Sequence, residues 1–241
     1  MESDFRRELY NKYNSAFKVH ISDFDKKSIM QMWKWFDHKY LPLIHSFPKD
    51  TPILELGCGR GYLLEYLRNK GFNNLKGVDI SEEQIKISKE KSLDVEVADA
   101  LKYLINNQKA YKIIFALDFI EHFSKEELIP LVEGIFKNLD ENGIFIFHTP
   151  NGQAIISPKI IYGDLTHLTI LTPNSAQQIL RAVGFKEINF LEAGPVNKNI
   201  RGFLRLIFWK IFKLLHNLVR LADTGSTERI LTENFITVAK K

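Results

Sequence analysis

The sequence predicts an α/β fold, with seven strands in a mostly parallel sheet and helices on both faces. Three observations predict it. Short apolar runs alternate with stretches of helical periodicity, the pattern of repeated strand–helix units. The first strong run, Pro52-Ile-Leu-Glu-Leu56, leads at once into a turn holding Gly57, Gly59 and Gly61, which opens a helix. Asp79 and Asp99 stand at or just after the next two apolar runs. The carboxyl ends of parallel strands share one edge of a sheet, so these acids converge on a single crevice.

Each element follows in order. Residues 20–46 carry Ile29, Met32, Trp33, Phe36 and Tyr40 at helical spacing and end near Pro48. Residues 1–48 therefore read as a helical cap outside the sheet, and 49–241 as the α/β domain. Strand one covers 52–56, and a helix over 61–70 stops at Gly71. Strand two covers 75–79, and Ser81 with Gln84 three residues on has the capping-box residue types. Strands three (94–98) and four (112–117) enclose a short helix. A helix over 124–138 passes through Asp140-Glu-Asn-Gly143, a turn signal, into strand five at 144–148. Residues 149–172 are polar and irregular, long enough to serve a function. Thr172-Pro173 starts a helix that ends at Gly184. Strand six covers 185–191, and 231–239 closes the chain as strand seven.

The 241 residues suit one large domain, and 45% hydrophobic with 26% charged residues excludes a disordered or fibrous chain. The single cysteine, Cys58, forms no internal disulfide, and no apolar run follows residues 1–7. A cytoplasmic chain without a secretory signal is expected. The net charge of +4 is uneven: residues 198–222 hold six basic and no acidic side chains, leaving 27 basic against 29 acidic elsewhere.

The glycine turn has the spacing G-x-G-x-G, and the place of a third fingerprint glycine is taken by Tyr62. That disfavours a nicotinamide dehydrogenase. Glu55 precedes the turn, and Asp79 lies 18 residues beyond its last glycine, where a carboxylate can accept both ribose hydroxyls. Asp99 after strand three can take an adenine amino group. The run Glu55–Gly61, Asp79 after Gly77-Val78, and Ala98-Asp99-Ala100 resemble motif I and the following motifs of class I S-adenosylmethionine (SAM)-dependent methyltransferases. The likeness covers residues 50–190 and the final strand. It implies a Rossmann-like sheet whose last strand is antiparallel. It also implies a SAM site in which Glu55, Gly57, Cys58, Gly59 and Gly61 form the methionine end, Asp79 and Ile80 the ribose side, Asp99 and Ala100 the adenine side, with Leu117 near the cofactor.

Strand four runs into Asp118-Phe-Ile-Glu-His122. This is similar to the D-x-x-E-H sequence of ubiquinone-type and sugar-type O-methyltransferases. His148-Thr-Pro-Asn151 and Asp164-Leu-Thr-His-Leu168 resemble a bacterial subgroup linked to small hydroxylated metabolites and surface glycans. Methyl transfer to a hydroxyl needs in-line positioning and removal of one proton, which His122 or His167 can take, with Glu121 beside them. Alternatively, Asp118, Glu121, His122 and His167 form an O/N set for a divalent cation, Mg, Mn or Zn. Some relatives with E-x-x-E-H, including small-RNA 2′-O-methyltransferases, bind metal this way, and Asp118 departs from that pattern by its shorter reach. His148 reads as structural and Asn151 as lining the acceptor pocket. The expected reaction is O-methylation of a sugar or glycan precursor. Ubiquinone-type or other small-molecule O-methylation, ribose 2′-O-methylation, and a silent SAM-binding partner subunit remain as alternatives.

A helical insertion is expected at about 198–224. Phe203, Leu204, Ile207, Phe208, Ile211, Leu214, Leu215, Leu218 and Leu221 share one arc at ~100° per residue. Arg201, Arg205, Lys213, His216, Asn217 and Arg220 occupy the other. The basic residues make spanning a bilayer costly, so the pattern suits an anionic membrane surface, or an oligomer or core contact. Nucleic acid is disfavoured, because the aromatic residues lie among the aliphatic ones.

Overall fold

The computed structural model describes residues 25–107 and 109–241. The first 24 residues of the expected cap, including the stretch read for a secretory signal, lie outside the described residues. Asp25 caps α1 (Lys26–Lys39) by accepting the Ser28 N–H at 2.7 Å, and α2 (Leu41–Ile44) follows. Phe36, Tyr40 and Ile44 are buried in one core with Ile53, Tyr66 and Phe115, so this helical segment covers one face of the sheet.

The domain then alternates β1 (Ile53–Leu56), α3 (Tyr62–Asn69), β2 (Leu75–Asp79), α4 (Glu82–Glu90), β3 (Val95–Val97), α5 (Ala100–Asn106) and β4 (Tyr111–Leu117). A 3-10 turn (Ile120–His122) precedes α6 (Lys125–Asn138) and β5 (Leu139–Pro150). The remainder is α7 (Pro158–Tyr162), α8 (Pro173–Val183), β6 (Glu187–Glu192), α9 (Ile200–Thr224) and β7 (Asn234–Lys240). The sheet order is β3-β2-β1-β4-β5-β7-β6. β7 is antiparallel to both neighbours and the other pairs are parallel. The predicted fold class holds.

Strand alternation builds the two larger of three apolar clusters among the described residues. Phe145 and Phe147 face the layer of α5, α6 and α8, whereas Ile144 and Ile146 face α1 and α3. Each fully buried side chain of this size stabilises by roughly 1.5–3 kcal/mol. Because β2 lies to one side of β1 and β4 to the other, the carboxyl ends of β1 and β4 form the topological switch point, the place where open α/β sheets bind ligands.

Several boundaries differ from expectation. β5 begins at Leu139 because Leu139 pairs with Tyr111, and 140–143 bulge out before Ile144 meets Ile113. The turn chemistry is visible there in Asn142, at φ +57°. Part of the irregular stretch forms the short α7. β6 and β7 start later than read, at Glu187 and Asn234. Ser81 caps α4, but the Gln84 side chain lies against the glycine turn rather than completing a box. Ser124 and Glu127 make the reciprocal pair instead, at the start of α6.

Candidate active site

The turn after β1 is built on left-handed backbone: Gly57, Gly59 and Gly61 have φ of +70°, +50° and +71°. Such angles are costly for any residue with a Cβ. A Cβ on Gly57 would come within 2.4 Å of the Phe119 ring. The turn is braced from several sides. Gly57 and Cys58 donate to the Val78 carbonyl at 2.9 and 3.0 Å. Asp79 accepts the Gly59 N–H through Oδ2 and the Ser81 N–H through Oδ1, both at 2.8 Å. Ser88 and Lys91 of the α4 region hold the Gly59 and Arg60 carbonyls at 2.7 and 2.9 Å. Neither residue was singled out from sequence, since their role depends on α4 crossing behind the turn.

Glu55 and Cys58 are buried beneath this turn. Burial, and then the neighbouring Asp79, raises the Glu55 carboxyl well above the usual carboxylate range. Burial likewise pushes the Cys58 thiol up. Asp79 brings strand β2 into hydrogen-bond contact with the turn, and a carboxylate offers about four acceptor positions, so these two bonds are compatible with ribose hydroxyls. Ile80 beside it is half exposed. Asp99 ends up as the N-cap of α5, accepting the Lys102 N–H at 2.9 Å, with Ala100 buried behind it. Leu117 ends β4 at the switch point and packs on the α1 and α3 core. The donor set and the left-handed turn fit SAM at this edge.

On the other side of the switch point, Asp118 adopts φ +48° and the 3-10 turn follows. Asp118 does not join the expected ligand set. Its Oδ1 lies 2.8 Å from His148 Nδ1, because Leu117 and His148 are register partners at the ends of β4 and β5. Trp35 of α1 meets the His148 ring edge-on at 5.8 Å. Glu121, His122 and His167 do converge, each offering a ligand atom within 4.8 Å of the others.

The convergence has a visible cause. The Glu121 carbonyl accepts the N–H groups of Leu168 and Thr169 at 2.8 and 3.0 Å, which draws His167 over the 3-10 turn. The two imidazoles lie 5.0 Å apart, edge to face. The Thr166 hydroxyl donates to Asp164 at 2.6 Å, so it accepts from His122 Nδ1 at 3.0 Å, where the Thr166 carbonyl lies at 3.2 Å. This network assigns the His122 proton to Nδ1 and the lone pair to Nε2. Burial, followed by the nearby His167, lowers the His122 pKa. Burial, followed by Asp118, raises Glu121 well above the usual carboxylate range. Thr149 donates to Glu121 Oε2 at 3.1 Å, whereas Glu121 Oε1 and His167 Nδ1 are buried without a hydrogen-bond partner.

Thr149, Thr166 and Asp164 stand inside the two runs quoted from the sequence, His148–Asn151 and Asp164–Leu168, but were given no role there. Asp164 and Thr166 stand within the same short motif as His167, and only that proximity could have signalled them. Asn151 corrects an expectation. It is buried, donates to the Thr232 and Ile230 carbonyls at 2.9 and 3.3 Å, and accepts the Gln153 N–H at 3.1 Å. Its amide anchors the segment before β7 instead of lining a pocket.

The sheet order, the switch-point turn and the strand-end acids together define a class I SAM-dependent methyltransferase fold. A family model described as a methyltransferase domain matches residues 30–189, and the chain belongs to that family. Among similar proteins, the carboxy-S-adenosyl-L-methionine synthase of Campylobacter fetus is 30% identical over 131 residues, 52% of this chain and 51% of that protein. The ubiquinone biosynthesis O-methyltransferase of Hydrogenovibrio crunogenus is 25% identical over 224 residues, 79% of this chain and 90% of that one. The chain thus spans about half the length of the first relative and most of the second. A SAM-dependent methyltransferase from Archaeoglobus fulgidus superposes with a TM-score of 0.69 at 24% identity, over 94% of this chain and all of that one. A plantazolicin methyltransferase in complex with SAH shares the fold at TM-score 0.60 and 17% identity, over 98% and 96%.

Proposed function

We propose that this chain methylates a hydroxyl of a sugar or glycan precursor, using SAM, at a cytoplasmic membrane surface. The carrying observation is the His122–His167–Glu121 cluster one strand away from the glycine turn. SAM supplies a methyl group made electrophilic by its sulfonium. Gly57, Cys58, Gly59 and Gly61 seat its amino-acid end over the buried Glu55. Asp79 and half-exposed Ile80 would take the ribose side, and Asp99 and Ala100 the adenine side. Leu117 and the Asp118–His148 pair hold the wall between cofactor and acceptor.

His122 presents Nε2 to the acceptor hydroxyl while Thr166 holds Nδ1. As the acceptor oxygen bonds the methyl carbon, the carbon–sulfur pair returns to sulfur and the hydroxyl proton passes to Nε2. The lowered pKa keeps His122 neutral and able to accept it at neutral pH. His167 positions the acceptor against His122.

The orphaned atoms Glu121 Oε1 and His167 Nδ1 favour a second reading, in which Glu121, His122 and His167 hold a divalent cation such as Mg, Mn or Zn. A cation there would return Glu121 to its carboxylate form and acidify the acceptor hydroxyl. The ubiquinone O-methyltransferase relative supports a hydroxyl acceptor and also a phenolic alternative.

The test is mass spectrometry of a panel of sugar nucleotides, lipid-linked sugars and phenolic quinone precursors after incubation with the full chain and SAM. Gain of one methyl on a sugar hydroxyl supports the proposal. Methylation of the phenols alone transfers it to the ubiquinone-type reading. SAM binding without transfer to any acceptor favours a silent partner subunit. Activity lost to a chelator and restored by one divalent ion establishes the metal reading.

A further inference from the structure

α9 is inverted relative to an ordinary surface helix. An amphipathic helix normally turns its apolar arc to the core and its polar arc to water. Here the half-buried inner side is mostly polar. Trp209 donates to Glu192 at 3.3 Å and Lys213 lies 3.0 Å from the same carboxylate while also donating to the Arg229 carbonyl. Asn217 exchanges hydrogen bonds with the Glu228 backbone at 2.8 and 3.1 Å, and Arg220 pairs with Glu228 at 3.2 Å. The outer side exposes Leu204, Ile207, Phe208, Ile211, Leu215 and Leu218 by 38–69%. A contiguous apolar patch of this kind marks an interaction surface.

Charge decides what covers it. At about 100° per residue, exposed Arg201 and Arg205 border one side of the apolar arc and Lys210 the other. The one acid in the helix is Asp223, near its end. Against a second copy of α9, this border would set cation against cation. Against anionic headgroups it is complementary, and basic side chains flanking an apolar arc are what an interface helix needs. Among the described residues no helix is long and apolar enough to cross a membrane, so α9 would lie along the surface.

Topology adds the orientation. β5 and β6 are both antiparallel to β7, so they run the same way and α9 leaves the sheet at its carboxyl edge. The 225–233 segment that receives α9 is anchored by Asn151, directly after β5. We propose that α9 seats this edge of the protein on an anionic lipid surface, apolar arc in the headgroup boundary and Arg201, Arg205 and Lys210 against lipid phosphates. The candidate site opens on the same edge, where an acceptor carried by lipid would arrive. The inference extends the membrane placement above but does not depend on methyl transfer.

Flotation of the full chain with vesicles of phosphatidylcholine, with and without phosphatidylglycerol, tests it. Wild type floats with the anionic vesicles, and Arg201→Ala/Arg205→Ala/Lys210→Ala weakens that binding on the order of a hundredfold. Phe208→Glu/Ile211→Glu stays unbound yet retains wild-type SAM affinity by calorimetry, which shows that it folds. Wild type that fails to float, or that floats equally with neutral vesicles, overturns the proposal. So does light scattering that shows a dimer broken by Phe208→Glu/Ile211→Glu without any lipid binding.

Discussion

The Asp79 carboxylate accepts the Gly59 N–H through Oδ2 at 2.8 Å, tying the end of β2 to the turn after β1. Its Oδ1 accepts the Ser81 N–H at the same distance. One side chain therefore holds the turn and fixes Ser81, the N-cap of α4; the proposed function also gives it the ribose. Asp79→Asn keeps the shape and removes the charge. It is expected to weaken SAM binding about tenfold to a hundredfold, the worth of a charged hydrogen bond at ~1.5–3 kcal/mol. Calorimetry measures this. An unchanged Kd in a folded variant removes Asp79 from the cofactor site.

Gly57→Ala combines two penalties. At φ +70° an added Cβ costs about 1–2 kcal/mol, and it also strikes the Phe119 ring. Thermal melts should show a destabilised protein with little SAM affinity. Adding Phe119→Ala relieves the collision but leaves the backbone cost, so stability returns only in part.

His122→Gln should lower kcat by roughly 10²–10⁴ while SAM affinity holds, as expected for loss of a general base. The wild-type rate should fall as pH drops, since the protonated imidazole cannot accept a proton. Burial and His167 lower its pKa, so the midpoint lies below the ordinary histidine value of about 6.5. A pH–rate profile with the acidic midpoint at or above that value contradicts the assignment.

Asp37 joins α1 to α3 through Tyr66 Oη at 2.8 Å and Lys70 Nζ at 2.6 Å. Burial acts to raise its pKa, but the bonds from Lys70 and Tyr66 outweigh it and the net shift is downward. A depressed carboxylate stabilises the fold above its unfolded pKa, near 3.9, and loses that contribution as pH falls through the folded value. The Lys70–Asp37 pair is about a third exposed on each side (34% and 35%), so screening limits the gain to at most about 1 kcal/mol. Asp37→Asn should then lower Tm by ~2–4 °C or less at pH 7, with the difference vanishing in acid.

The glycine turn and the strand-end acids were legible in the sequence because their signals are local. Three glycines within five residues demand left-handed backbone, and an acid at a strand end reaches whatever the neighbouring strand presents. The surroundings of Glu121 and His122 were less legible. Asp118 looked like a ligand beside Glu121 and His122, but a partner on the adjacent strand, His148, takes its carboxylate. Asn151 looked available and is consumed by the backbone at 230 and 232. Partners far away in sequence decide such roles, and one-dimensional spacing does not contain them.

By itself the sequence determined the strand–helix alternation, the glycine turn, the acids at strand ends, and an amphipathic basic helix late in the chain. These follow from periodicity and backbone sterics, which act over a few residues. Only the tertiary structure decided that His167 meets His122 and Glu121, because that contact depends on the Glu121 carbonyl catching Leu168 and Thr169. It also decided that the polar arc of α9 faces inward, because Glu192 and Glu228 claim it and turn the apolar arc outward.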